Sequence, residues 1–496
     1  MEAGAPAAAT ISTGRPTSRL ARNIAVLAGG QVVTWCLTLV WTLFVPRALG
    51  PAGMGELTVA FAVTGVISVV VSLGIDTLMV KEIARDYQKA ASLIGTAMLV
   101  RAAFVVPSVI AVGLYIYLGH IGTEQALVLW LATGSMVLGL FAAPFLSTFQ
   151  ALERMQYLAY AGILNKAIFA VASVGLVLVG FRVVGVMALA LAISAAVLLL
   201  NIWWRRDMFG VDWGFRPNQI RFLVVGSLPY WLSGLVLTFY IWIDSVILSV
   251  MSPGVVVGWY GVATKVFATL LFVPLLFSTA ILPRLSAAFR ESVDSLRQAA
   301  RPALEIVLVL SLPITAGAAL TAQSFIAKVY GSQFEGAGWV LVILALTLPA
   351  TYVSTMAWPI LIACNRQIAW TKVMIGAAVI NPILNLFLIR YFQVQHNNGA
   401  IGAALSLLAT EIGMALVAFV LIPKVLESRS VLRLLRAVAA TAGMVLVLGW
   451  ASRYGLIFEI AASVISFALL ALALRLLTVD ELVWIRKTAA RVVTRS

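Results

Sequence analysis

The sequence predicts an all-α polytopic membrane protein with about fourteen transmembrane helices, and three observations lead there. Of its 496 residues, 62% are hydrophobic and only 11% charged, and the mean hydropathy is +1.04. A soluble domain is about half apolar and a quarter charged, so no soluble core would need this much apolar sequence. The apolar residues also fall into runs of about 20, the length that crosses a ~30 Å hydrocarbon layer as a helix. Finally, the basic residues are sorted between alternate connections, as they are in membrane proteins.

Taken in order, the spans start near Asn23, Leu57, Ser92, Gln125, Tyr157, Val183 and Phe222. They continue from near Val255, Pro302, Gly336, Ile368, Ala400, Leu434 and Gly455. With the N-terminus placed inside, the inner segments hold 26 of the 34 Lys and Arg, among them Arg15, Arg19, Arg205, Arg206, Arg284 and Arg433. The outer loops hold five, and Arg101, Lys166 and Lys265 fall within spans. The asymmetry predicts an even number of crossings and two cytoplasmic termini; the membrane expected is the plasma (inner) membrane. The net charge of +15 is thus a record of topology, and nucleic acid is not an expected partner.

Cys36 and Cys364 lie within apolar spans and read as small buried hydrophobes, with no disulfide or metal site expected. Residues 1–22 read as a disordered cytoplasmic tail. A cleaved leader is not expected, because the first apolar run is long and follows a basic cluster.

The connections leave little room for chemistry. Each is under about 20 residues, too short for a folded soluble domain. No Gly-rich phosphate loop with its Lys is present, so neither ATP hydrolysis nor a cofactor is expected. His120 and His396 stand singly at span ends, and Glu124 and Glu335 are the main outer-loop acids. Enzyme is the weak reading.

Two halves of the chain match. "GQVVTWCLTLVWT" (Gly30 to Thr42) and "GSLPYWLSGLVLT" (Gly226 to Thr238) agree at five of thirteen positions without gaps. Each then runs to an outer turn, at Pro51 and Pro253. Both start on the inner side, so the repeats are parallel, and transporters are commonly built from such repeats around a site near the midplane. The stretch "PRALGPAGMGE" (Pro46 to Glu56) resembles the Arg-x-Leu-Gly-Pro turn of polysaccharide exporters. These are the Wzx-type flippases of lipid-linked oligosaccharides, a branch of the multidrug/oligosaccharidyl-lipid/polysaccharide exporter superfamily. "DSVILSVMSPGVVVGWYGVATK" (Asp244 to Lys265) is similar to that family's Asp, outer turn, Gly-x-Tyr and Ala-x-Lys pattern. The resemblance covers essentially the whole chain. It implies two six-helix lobes (23–204 and 222–423) related by a pseudo-twofold axis around a central cavity, a peripheral helix pair (434–477) and a basic cytoplasmic tail (478–496). It also implies alternating access that carries a polyprenyl-diphosphate-linked oligosaccharide to the outer leaflet. The partners implied are that lipid, the bilayer, a coupling ion such as H+ or Na+, and the enzymes of polysaccharide assembly.

Ionisable residues within spans mark function by default. Asp244 and Lys265 lie about ten and eleven residues either side of the second outer turn, so two antiparallel helices put both ~15 Å from it. Two readings follow: a salt bridge tying the seventh and eighth spans, or a gating pair in which protonation of Asp244 releases Lys265 toward an anion. For Arg101 the choice is between snorkelling to the inner interface and lining the cavity, with snorkelling preferred. Lys166, beside Asn165, reads as cavity lining, where it would meet a lipid diphosphate entering from the inner leaflet. Gln31, Thr34 and Thr38 form a polar stripe that either bonds a neighbouring helix or binds sugar hydroxyls. Asn381 and Asn385, a turn apart beside Pro382, bind sugar or satisfy a broken turn, and Glu411 is a coupling candidate with no visible partner. Basic rather than acidic charges in the first half favour an anionic cargo over organic cations. A peptidoglycan-precursor flippase and a cation-coupled multidrug exporter remain the alternatives.

Overall fold

The computed structural model describes residues 16–423 and 425–476; the side chains of 16–36, Ser233, Ala280 and Pro283 lie outside that description. The described residues are almost entirely helix, with no strand among them. α1 (Pro16–Ser72) is broken at Gly50, which takes φ 70° and ψ 174°. The turn therefore lies one residue before the proline that sequence reading chose. Pro51 instead opens the second arm of α1, where its fixed φ suits a first helical turn.

α2 (Ile75–Arg85) lies between the spans expected from near Leu57 and near Ser92. It is a short amphipathic helix that buries Ile75, Leu78, Met79 and Ile83, one face at helical spacing, against α4 and α8. α3 (Ala90–Leu118) and α4 (Thr123–Ala151) follow. α5 (Met155–Ile163) passes through a widened π turn, Leu164–Ile168, into α6 (Phe169–Leu178). α7 (Val183–Trp204) closes the first half.

The second half repeats the order with α8 (Pro217–Met251), α9 (Gly254–Leu270), α10 (Phe272–Glu291), α11 (Val293–Tyr330), α12 (Glu335–Ala363), α13 (Gln367–His396) and α14 (Gly399–Leu421). α9 and α10 meet at Leu271 with a bend of 42°. The Leu270 carbonyl at the break accepts a 2.6 Å hydrogen bond from the Tyr352 hydroxyl. A broken helix persists in a membrane when a side chain takes up the freed carbonyl in this way.

α15 (Ser428–Ala451) and α16 (Leu456–Ala473) form a pair against α11. Glu305 of α11 accepts from Ser430 at 2.5 Å and from Arg433 at 2.8 Å, and Arg433 also donates to the Leu476 carbonyl. A buried carboxylate with two donors on α15 fixes where the pair docks.

Among the described residues twelve helices are long and apolar enough to cross a membrane, or thirteen if α9 and α10 form one bent span. Sequence reading gave fourteen; this count takes α1 once, from Leu37. Val420 and Ile457 are more than four-fifths exposed. A belt of large apolar side chains facing outward is costly in water and favourable in lipid, so the chain is a multi-pass membrane protein.

The two halves meet along two seams. At the Gly50 end, the second arm of α1 lies backbone to backbone on α9. A Cβ on Gly55 would sit 2.0 Å from the Gly254 carbonyl oxygen, and one on Gly258 would sit 1.9 Å from that of Pro51. Small residues at this spacing let membrane helices approach closely. At the opposite end, the Trp231 indole of α8 donates to the Val69 carbonyl of α1 at 2.9 Å, and Gly74 abuts the Trp231 backbone.

Candidate functional site

Between these seams lies a cavity of about 420 Å³, walled by the second arm of α1 together with α8, α9, α12 and α14. Its polar side chains include Tyr240 and Asp244 from α8, Tyr260 and Lys265 from α9, and Thr351 and Glu411 from α12 and α14.

Asp244 is buried, and its carboxylate is held by neutral donors. The Tyr260 hydroxyl donates to one oxygen at 2.8 Å and the Asn385 amide to the other at 2.6 Å. The same amide donates to the Asn381 carbonyl oxygen at 2.9 Å. Both asparagines are fully buried, and among the described residues the Asn385 carbonyl oxygen has no partner. The pair read from sequence as sugar binders or turn fillers thus reaches across from α13 to the carboxylate of α8.

Lys265 does not pair with Asp244. Among the described residues it forms no ion pair; its ammonium lies 4.9 Å from the centroid of the Trp41 ring and 6.0 Å from that of Phe61, both on α1. The reason is rotational. Tyr260 and Lys265 are five residues apart on α9, about 140° around it at ~100° per residue. Since Tyr260 is the side chain turned to Asp244, Lys265 leaves α9 on another face. Equal depth on two antiparallel helices does not bring two side chains together unless they also share an azimuth.

Glu411 accepts a 2.9 Å hydrogen bond from the Tyr240 hydroxyl, the partner that sequence did not show, and the hydroxyls of Ser354 and Thr351 lie beside it. The cavity therefore holds two carboxylates on polar neutral neighbours and one ammonium on aromatic rings. The opposite charges are separated, each retained by a partner weaker than the other charge would be.

Arg101 neither snorkels nor joins this cavity. It is fully buried, donates to the Leu140 carbonyl, and forms a 2.7 Å ion pair with Asp76, which also accepts from Ser147 at 3.2 Å. The pair ties α2, α3 and α4 together. Asp76 lies in the first turn of α2, a helix that the span count does not include. Asn165 and Lys166 are exposed on the π turn Leu164–Ile168 and do not line the cavity. Gln31 and Thr34 fall on α1 outside the described side chains. Glu124 and Glu335 are exposed, and among the described residues no group of three or more His, Cys, Asp or Glu converges.

The fold has solved counterparts. A lipid II flippase MurJ, in an inward closed conformation, aligns over 90% of this chain and 98% of its own at 14% identity, with a TM-score of 0.71. An inward-facing multidrug resistance MATE family transporter of the MOP superfamily aligns over 84% of this chain and 98% of its own at 16% identity, TM-score 0.61. No curated protein sequence matches. The family model for polysaccharide biosynthesis proteins matches residues 20–289, more than half of the chain. Its motifs, its apolar helices and that match agree: the chain belongs to the polysaccharide biosynthesis protein family, with the fold of membrane flippases and exporters.

Proposed function

We propose that this protein is a flippase that carries a polyprenyl-diphosphate-linked oligosaccharide from the inner to the outer leaflet, in cell-surface polysaccharide assembly. In this reading residues 23–204 and 222–423 are two lobes, 434–477 a peripheral pair, and both termini lie in the cytoplasm of a plasma membrane. The observation that carries the proposal is Lys265: a half-buried cation in the wall of the cavity, resting among the described residues on aromatic rings and on no counter-charge, and so available to a diphosphate. The seam of Gly55 and Gly258 would then be the outer gate and that of Trp231 the inner one, opened in turn. Asp244, with Asn381 and Asn385, would take up the coupling ion, H+ or Na+, and Lys166 would meet cargo entering from the inner leaflet. Polysaccharide assembly enzymes would supply and consume the cargo.

A second reading rests on the two carboxylates Asp244 and Glu411, which would suit a cation-coupled exporter of organic cations. The test uses spheroplasts of a strain lacking the gene, probed with an impermeant sugar-binding reagent. The flippase reading expects sugar-lipids to accumulate out of reach, rescue by the wild-type gene, and no rescue by Lys265→Gln. Unchanged labelling with raised drug sensitivity would replace it with the exporter. Accumulation of peptidoglycan precursor alone would change the cargo.

A further inference from the structure

Trp41 has an arrangement that the proposed function does not use. Its indole meets two groups: the Phe169 ring stacks at 6.2 Å on an interplanar angle of 26°, and the Lys265 ammonium lies 4.9 Å from the ring centroid. Trp41 is 4% exposed, yet its indole N–H has no acceptor among the described residues. A buried tryptophan N–H ordinarily finds one, because an unmet donor in a dry site is costly. Phe61 and Lys265 stand in the cavity wall, so the ammonium that rests on the Trp41 ring belongs to a cavity-lining side chain.

From this geometry we infer that Trp41 is the sugar-recognition platform, covered by Lys265 while the cavity is empty. This rests on the lipid-linked sugar reading above. A diphosphate attracts an ammonium far more strongly than a ring quadrupole does, so an entering headgroup draws Lys265 off the indole. The vacated face is electron-rich and matches the C–H face of a pyranose, and the orphan N–H is a ready donor for a sugar hydroxyl or acetamido oxygen. One ring face cannot hold the ammonium and a sugar together. Diphosphate binding therefore uncovers the sugar subsite, and a free sugar without phosphate finds it covered. This makes the first sugar next to the diphosphate the one that is read.

The test titrates full-length protein in nanodiscs with two probes: bare polyprenyl diphosphate, and the same lipid carrying one N-acetylhexosamine. Trp41→Leu removes both the platform and the resting place of Lys265. It should weaken the sugar-bearing lipid about tenfold, the scale of one lost polar contact, and leave the bare lipid bound as tightly as in wild type or tighter. Trp41→Phe keeps a ring and should show the same split, smaller, which guards against a folding defect in the leucine variant. Lys265→Gln should weaken both lipids alike. Equal weakening of both lipids by the Trp41 variants, or no change in either, overturns the inference while the flippase reading stands. Failure of wild-type protein to bind either lipid overturns both.

Discussion

The α2–α4 junction of the first half and the cavity wall of the second handle charge in opposite ways, the cavity also differing from the closed Glu305–Arg433 pair that docks α15. In the first, Arg101 meets Asp76 directly at 2.7 Å, with Ser147 and the Leu140 carbonyl completing the set. In the second, Asp244, Glu411 and Lys265 share a cavity, and none of them meets an opposite charge among the described residues. A closed ion pair stabilises one packing of three helices and offers nothing to a ligand. Charges resting on tyrosines, amides and rings can change partners at modest cost. The comparison separates a structural charge from working ones better than burial does, because Arg101 and Asp244 are both buried.

This contrast can be broken by mutation, and the largest effect belongs to the first half. Asp76→Ala leaves Arg101 buried without its counter-charge, and should cost about 3 kcal/mol, the low end for a broken buried pair given the partial exposure of Asp76. Thermal unfolding in detergent would read it. The double change Arg101→Met with Asp76→Leu should recover most of that loss, since apolar replacement of a buried pair is often neutral. A double variant as unstable as the single one would mean that the charges themselves hold α2, α3 and α4 together.

Next in size is Gly258→Val, which pushes a side chain into the Pro51 carbonyl at the Gly50 end. Overpacking of this kind costs about 1–3 kcal/mol unless the seam separates. The expected result is separation: a cysteine at Thr58 reacts faster with a water-soluble thiol reagent in the valine variant. Unchanged reactivity with lowered stability would show a rigid seam and no gate there.

Smaller still is Tyr240→Phe, which removes the hydrogen bond to Glu411 and should cost about 1 kcal/mol of stability. Asp244→Asn should change stability least, because the amide oxygen still accepts from Tyr260 and the Asn385 side chain, turned end for end, can accept from the new amide through its unmet carbonyl oxygen. Transport should nonetheless fall most in Asp244→Asn, so that stability and transport rank these variants in opposite orders.

The helices were legible in sequence because run length and basic-residue placement report directly on the bilayer. Most expected starts, such as Ser92, Tyr157, Val183 and Val255, lie within a few residues of the helix starts that form. What escaped had a weaker signal. α2 is eleven residues long and amphipathic, so a ruler tuned to 20 apolar residues passes over it, and with it Asp76. The break at Leu271 depends on a hydroxyl from α12, some 80 residues away, and nothing local announces it. The candidate site was half legible. Asp244, Lys265, Asn385 and Glu411 were found because charge and amide are rare in spans, and their depth followed from rise per residue. Their partners were not, because azimuth decides partners, and azimuth depends on how each helix is turned against its neighbours.

The measurement that tests the division most directly is sugar-lipid flipping in proteoliposomes, comparing Lys265→Gln with the Arg101→Met, Asp76→Leu double variant at matched thermal stability. The account predicts that the double variant flips at close to the wild-type rate while Lys265→Gln falls at least about tenfold, the scale of one lost charge-assisted contact. Loss in the double variant with retained flipping in Lys265→Gln would contradict it, placing the working charge in the first half.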